Sequence, residues 1–555
     1  MHKAIDLGPI KKFLSTIDWK LLLFLVLFMD VKIAIKIVAI VLIYFLRPDF
    51  RLGLRLPFGP LKGVSRLPLF YAGVIVIALL DWVLYGLYAN GNYDFALVIG
   101  LAFWLLCLLS IHQVKLSVER SDTVMLHRTL LVFFVINAAV SVLMLLKIMV
   151  VTGSMNPYLF QGDHQKYFIS TGDYIHGLTF DTSGTNAMIN AFGVAYFLYR
   201  KQAGMILLCM SVMLLTGSNA TDLLLVICLV AIFFFRSDRD QRSLIIICLF
   251  LLILFTVKVS PQNHNYALNT FGAMLLKRNI VTERPDPYIP RITDIPDSLL
   301  TPERRRKKIA TLYMDSVSYL YYLYKDSIYL HQFGVHMPVP PRKPPPITNG
   351  LEYQSRDDTT QIRLTLLQFI RDEQLDSPVN RAGTDAGKIP GKLVAFRQTA
   401  GFLDQHPWKL ITGNGMGRFS SRLAFRSTAL GIVGRYPSGL RYIDPDFRDL
   451  HLALYIYYFT KGPNFRSVIN TPDSEYDRLL TEYGLGGTML FLLFYAGYFI
   501  RDRKRLSYGI PLLFLMAGGF FIGYWFEQLS VVVLFEFMML LDRKEGEERL
   551  TLQDK

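Results

Sequence analysis

Long apolar runs separated by short charged stretches dominate the chain. Residues 13–46 are apolar but broken by Asp30 and Lys32. That break predicts a hairpin of two short helices, 13–29 and 31–47, with one long helix as the alternative. Further runs lie near 68–88, 95–113, 128–151, 184–200, 203–217, 220–236 and 243–260, and three more, near 484–500, 508–523 and 525–541, close the chain. Most approach the ~20 residues that a helix needs to cross a bilayer. With the hairpin, the pattern predicts an all-α polytopic membrane fold of about twelve transmembrane helices. The hairpin turn places Asp30 and Lys32 at the surface. Lys36, further along the same run, is a candidate intramembrane charge.

Residues 261–483 are the one large polar insertion and are expected to be mainly helical. Within it, 302–332 opens with Pro302-Glu-Arg-Arg-Arg-Lys-Lys308 and carries Tyr313, Tyr319, Tyr321, Tyr322 and Tyr324 at roughly helical spacing. This fits an interfacial helix with snorkelling cations, or a solvated charged helix. Residues 338–347 form a stiff polyproline-type connector. Helices near 392–405 and 447–460 flank a glycine turn at 413–417. The chain thus divides into an N-terminal bundle (1–260), a loop domain (261–483), C-terminal membrane helices (484–541) and a charged tail (542–555).

Composition supports this division: 52% of the 555 residues are hydrophobic and 19% charged. The net charge of +15 at first suggests a nucleic-acid partner. The cations, however, sit largely in short connections, where membrane topology accounts for them, and no basic domain of a known nucleic-acid-binding pattern is present. Arg47, Arg51, Arg55, Lys62 and Arg66, then Arg200 and Lys201, then Arg236, Arg239 and Arg242, then the run 501–505 mark cytoplasmic connections. The segments 152–183 and 261–483 are then external. The four cysteines, Cys107, Cys209, Cys228 and Cys248, lie inside apolar runs, so the loop has no disulfide and no cysteine metal site. No small-residue cleavage site follows the first run, so no cleavable signal peptide is expected.

The stretch VINTPDSEYDRLLTEYGLGG, 468–487, sets acids at the mouth of an apolar run. Thr471 reads as a helix N-cap with Pro472 at the first helical position. Asp473 and Glu475 then fall in the first turn, near the positive end of the helix dipole. An ionised Asp473 at a water–lipid boundary is suited to take a proton from a sugar hydroxyl, although first-turn acids also simply stabilise helices. Arg478 lies three residues after Glu475 and four before Glu482, as in a local ion-pair string. Arg397 has no acid within a helical turn and calls for an anion from elsewhere, a phosphate or a distant carboxylate. Gly413-Asn-Gly-Met-Gly417 with Arg418 offers backbone N–H groups and a cation to a phosphate, or is only a tight loop; without a following Lys-Ser/Thr it is no P-loop. His176, with Asp173 and Asp181, fits no metal-ligand spacing and reads as a solvated loop or a sugar contact.

Three stretches resemble the O-antigen ligase / O-antigen polymerase family of bacterial inner-membrane proteins. AFRQTAGFLDQHPWKLITGNGMGRF is similar to the family's arginine helix, His-Pro and glycine turn. DSEYDRLLTEYGLGG resembles its Glu-x-Gly-x-x-Gly segment, here Glu482, Gly484 and Gly487. LLTGSNATDLLLVICLVAIF resembles its Thr-Gly-Ser segment. The resemblance implies a metal-independent, cofactor-free glycosyltransferase with a GT-C-like fold in the inner membrane, its large loop periplasmic. Its implied substrate is a glycan on undecaprenyl diphosphate, and a chain-length regulator and a flippase are its implied companions. Asp473 and Arg397 would be catalytic; Arg418, Arg422, Glu475, Tyr476 and His176 would bind substrate. Ligases have His-Asn where this chain has Asp473-Ser474, which favours a polymerase. Asn219 follows Ser218 where the family usually has arginine, and His176 precedes Gly177 where arginine is often seen. Part of the phosphate clamp would then come from Arg418 or Arg422. A ligase and a non-enzymatic glycolipid transporter or assembly partner stay open as alternatives.

Overall fold

The structure, a computed structural model, describes residues 15–55, 65–159, 172–260, 390–432, 434–460 and 468–553, with isolated positions at 302, 305, 308, 309, 365 and 369. Among these residues all regular structure is helical. The first apolar run is a hairpin of α1 (Trp19–Met29) and α2 (Ile33–Leu46) packed on each other. The Asp18 carboxylate caps α1 by accepting the Leu21 N–H at 3.1 Å and also holds Arg47, beyond α2, at 2.6 Å. One ion pair therefore closes both open ends of the hairpin. Lys36 turns inward, donating to the Phe28 carbonyl and Ser530 Oγ at 2.7 Å each. These bonds satisfy an ammonium that would otherwise be buried without partners.

There follow α3 (Phe70–Leu84), α4 (Gly91–Arg120), α5 (Thr123–Thr152), α6 (Ser183–Tyr199), α7 (Ala203–Leu215), α8 (Asn219–Phe235) and α9 (Arg239–Leu254), which a π turn carries to Val259. Short polar residues start several of them. Asn90, Asp122 and Thr182 cap α4, α5 and α6, and Asp238 with Gln241 forms a capping box on α9. Beyond the loop come α10 (Gly391–Gln405), α11 (Pro407–Thr412), α12 (Arg422–Ser427), α13 (Pro445–Asp449) and α14 (His451–Thr460). The chain ends with α15 (Glu475–Leu490), prolonged to Ile500, then α16 (Gly509–Ile522), α17 (Trp525–Gln528) and α18 (Ser530–Gln553).

Four helices, Gly91–Arg120, Thr123–Thr152, Arg239–Val259 and Glu475–Ile500, are long and apolar enough to cross a membrane, and six shorter apolar helices accompany them. This is the construction of a helical membrane protein. The aromatic core under the later site is dense. Phe70 meets Trp104 edge-on at 5.5 Å between centroids, Trp104 lies 5.3 Å from Phe526, and Phe526 stacks on Phe520 at 5.0 Å.

Three local expectations change. Thr471 is not the N-cap of α15. Its hydroxyl donates to the Val468 carbonyl at 2.9 Å, closing a turn, and Ser474, extended at φ −156°, is the last residue before the helix. Asp473 consequently precedes α15 rather than sitting in its first turn, which Glu475 and Asp477 occupy. The run 525–541 is divided at Leu529, whose φ is +71°. Finally, α18 continues through the expected tail to Gln553, because Asp542 accepts the N–H groups of Ser507 and Gly509 at 2.8 and 2.7 Å and Lys544 donates to the end of α4 at Ser121. The helix expected over 302–332, apart from four isolated helical positions, and the connector 338–347 lie outside the described residues.

Candidate functional site

A break in α15 organises the site. Gly484 adopts φ +62° and ψ −163° inside the helix, a conformation that L side chains rarely adopt. The break frees the carbonyls of Thr481 and Glu482, which accept the N–H groups of Asn414 and Gly415 at 2.7 and 3.1 Å. The glycine turn thus lies directly on the helix. A Cβ at Gly484 would stand 2.4 Å from the Ile411 carbonyl oxygen, and one at Gly413 would stand 2.4 Å from the Glu482 oxygen. Neither position has room for a side chain.

The turn's N–H groups do form an anion nest, and a carboxylate of the chain fills it. Oε2 of Glu482 accepts from Gly417 at 2.9 Å; Oε1 accepts from Phe419, Ser420 and Ser421 at 3.1–3.2 Å. Arg418 beside them is paired with Asp444 at 2.6 Å and lies over the Tyr85 ring. Burial lowers its pKa, but Asp444 outweighs this and the net shift is upward. The nest and Arg418 therefore meet carboxylates of the chain itself.

Below this lock lies a buried cation. Arg478 is 1% exposed. It reaches Glu475 at 3.0 Å, Glu527 at 3.4 Å and Glu482 at 3.8 Å, and its guanidinium lies 4.9 Å from the Trp104 ring centre. It forms the seam between the aromatic core and the polar end of α15. Glu475 and the Tyr483 hydroxyl accept hydrogen bonds from the guanidinium at 3.0 and 3.4 Å, and the charges of Glu482 and Glu527 balance it and hold α15 against α17. Arg422 and Arg426, on α12, lie within electrostatic reach of Glu527. Asp477 and His451 approach each other at 3.7 Å, both fully buried. Burial drives the His451 pKa down to about 4, so the ring is neutral at physiological pH.

Asp473 stands at the edge of this cluster, half-buried. Tyr455 donates to its Oδ1 at 2.5 Å and is itself 3.1 Å from the Tyr524 hydroxyl. Burial first, and then the Asp473 charge, raise the Tyr455 pKa, which keeps the phenol a donor. Lys392 reaches the segment from α10: its ammonium donates to the Asp473 carbonyl, to Thr471 Oγ1 at 3.3 Å and to the Ile522 carbonyl at 2.9 Å. It is 1% exposed, and burial lowers its pKa to about 8.

The remaining candidates disperse. Arg397 is exposed on α10, five residues beyond Lys392 or about 7.5 Å along the axis. Tyr476 is committed to α16 through the Ala517 carbonyl at 2.8 Å. Glu475 is fully buried against Arg478. His176 lies half-buried against Tyr174, in a loop that Asn137 and Asn186 pin to the bundle through Leu178 N–H and the Ile175 carbonyl. Lys392, Tyr455, Tyr524, His451 and Glu527 were missed by sequence reasoning. Their only signal was a polar residue within an apolar segment, which many lysines and tyrosines share.

Together these features define a helical membrane protein with a buried ionic cluster and a partly exposed carboxylate at one end of a long apolar helix. No protein-family model, curated protein or solved structure matches the chain.

Proposed function

We propose that this protein is a glycan polymerase of the inner membrane, with about twelve crossings, that joins undecaprenyl-diphosphate-linked repeat units on the periplasmic face. The observation that carries the reading is the partly exposed Asp473 carboxylate, held by Tyr455 at the mouth of a long apolar helix. Asp473 takes the proton of the acceptor hydroxyl. That oxygen forms the new bond to the donor's anomeric carbon as the carbon–oxygen bond to the diphosphate breaks, and the diphosphate leaves with the electron pair. Arg397, exposed and forked, holds the leaving diphosphate. Arg418 is already neutralised by Asp444, so Arg422 is the better second cation. Lys392 and Tyr455 fix the approach of Asp473.

The test compares lipid-linked and surface glycans in producing cells with and without the protein. Loss of long chains, with single units still delivered, supports the polymerase. Long chains stranded on the carrier would mean a ligase, and no change in either pool would exclude the transferase reading and favour a transporter or assembly partner.

A further inference from the structure

The connection that follows Ile500 borders a basic cavity of about 250 Å³. The helix α16 separates it from the Asp473 segment: Pro511 near its start lines the cavity, and the Ile522 carbonyl at its end accepts from Lys392. The cavity is walled by the ends of α6 and α8, the connection 504–508 and α18. Arg236, Lys504, Arg505 and Arg549 bring four cations to it, Tyr199 contributes a hydroxyl, and no carboxylate lines it among the described residues.

Neutral oxygens orient these cations. Arg549 donates to Tyr199 Oη at 3.1 Å and Ser507 Oγ at 3.3 Å, and Arg236 donates to the Ser507 carbonyl at 3.5 Å. The nearby acids are already engaged. Lys201 holds Asp238 at 2.6 Å and Asp240 at 3.5 Å; Glu545 is met by Tyr508, His127 and Arg200. Asp542 accepts the Ser507 and Gly509 N–H groups and the Ser507 hydroxyl, and stands 3.8 Å from Arg549, beyond hydrogen-bond reach. Concentrated positive charge with the Tyr199 hydroxyl beside it in a concave site suits a multiply acceptor-bearing anion. One flank is apolar: Phe234 and Phe235, beside Arg236, are 68% and 85% exposed.

We propose that this cavity binds a phosphate-bearing anion, the chemistry shared by the headgroup of an anionic phospholipid and by free phosphate. The exposed phenylalanines give acyl chains a surface to lie on, and basic pockets between membrane helices are suited to such headgroups. The site does not depend on the proposed enzymatic activity.

The test uses the full chain purified in detergent and follows thermal unfolding against dioleoylphosphatidylglycerol, dioleoylphosphatidylcholine and, at constant ionic strength, inorganic phosphate. Saturable stabilisation by phosphatidylglycerol and not by phosphate assigns a lipid headgroup; equal saturable stabilisation by millimolar phosphate assigns the free anion. The double variant Lys504→Gln/Arg505→Gln should weaken the response roughly thirtyfold. Arg501→Gln/Arg503→Gln, which removes equal charge outside the cavity wall, should respond as the wild type. Arg236→Gln serves as a second probe if the first double variant unfolds without ligand. No saturable response, an equal response to phosphatidylcholine, or equal losses in both double variants would overturn the site.

Discussion

Replacing Glu482 with glutamine tests the lock between the glycine turn and α15. The wild-type carboxylate accepts four backbone N–H groups through its two oxygens. A glutamine amide keeps one oxygen, which can still serve the three N–H groups on the Oε1 side. Its NH2 group then faces the Gly417 N–H, donor against donor. One buried N–H loses its partner, at about 1–3 kcal/mol, and three charge-assisted bonds become neutral ones at about 1 kcal/mol each. Relief of the carboxylate's desolvation offsets part of this, leaving a local loss of about 3 kcal/mol. Arg478 keeps Glu475 and Glu527, so the bundle should remain folded. The assay is amide hydrogen exchange, read on peptides covering 414–421. A loss of that size predicts exchange faster by about a hundredfold in this turn, with helices such as α4 unchanged. Exchange in the turn within a factor of about three of wild type would refute the account of the nest.

Other predictions follow from the same geometry. Gly484→Ala should lose more than about 3 kcal/mol, from positive-φ strain together with the clash on Ile411, and is checked by the yield of monodisperse protein. Asp473→Asn keeps an oxygen for Tyr455 and should fold normally while abolishing long glycan chains; full polymer length in that variant removes Asp473 from the mechanism. Arg397→Lys should sharply shorten the polymer, since lysine lacks the fork, and normal chain lengths would count against the clamp. Lys392 gives a pH signature. Its folded pKa of about 8 lies below the ordinary 10.5, so between those values the unfolded chain binds more protons and stability rises with pH. Wild type should therefore gain about 2 kcal/mol of stability relative to Lys392→Met between roughly pH 8 and 10, measured by thermal unfolding across pH.

The helices themselves were legible in the sequence. Apolar length, broken by short basic connections, is local information. A hairpin at Asp30–Lys32 follows from the cost of burying two charges mid-helix. The stretches 397–418 and 473–487 also stood out, because glycine and proline mark backbone that a regular helix does not use. The sequence could not show that these stretches close on each other. Glu482 fills the nest of a turn 61 to 65 residues away, and the break at Gly484 makes sense only once the Ile411 carbonyl is set against Gly484 and the Glu482 carbonyl against Gly413.

Pairing partners were beyond sequence reasoning for the same reason. A charge alone does not state whether it will meet a ligand or another side chain. Arg418 looked available to a phosphate and met Asp444; Glu475, Arg478 and Glu482 looked like a local ion-pair string and became a buried seam on Trp104 that also takes in Glu527. Lys392 looked like one more lysine until α10 set it beneath Asp473. The sequence by itself determined a helical membrane chain and the two stretches where its regularity fails. Only tertiary structure decided which charges neutralise one another and which carboxylate remains partly exposed, because burial and ion pairing depend on distances between residues far apart in the chain.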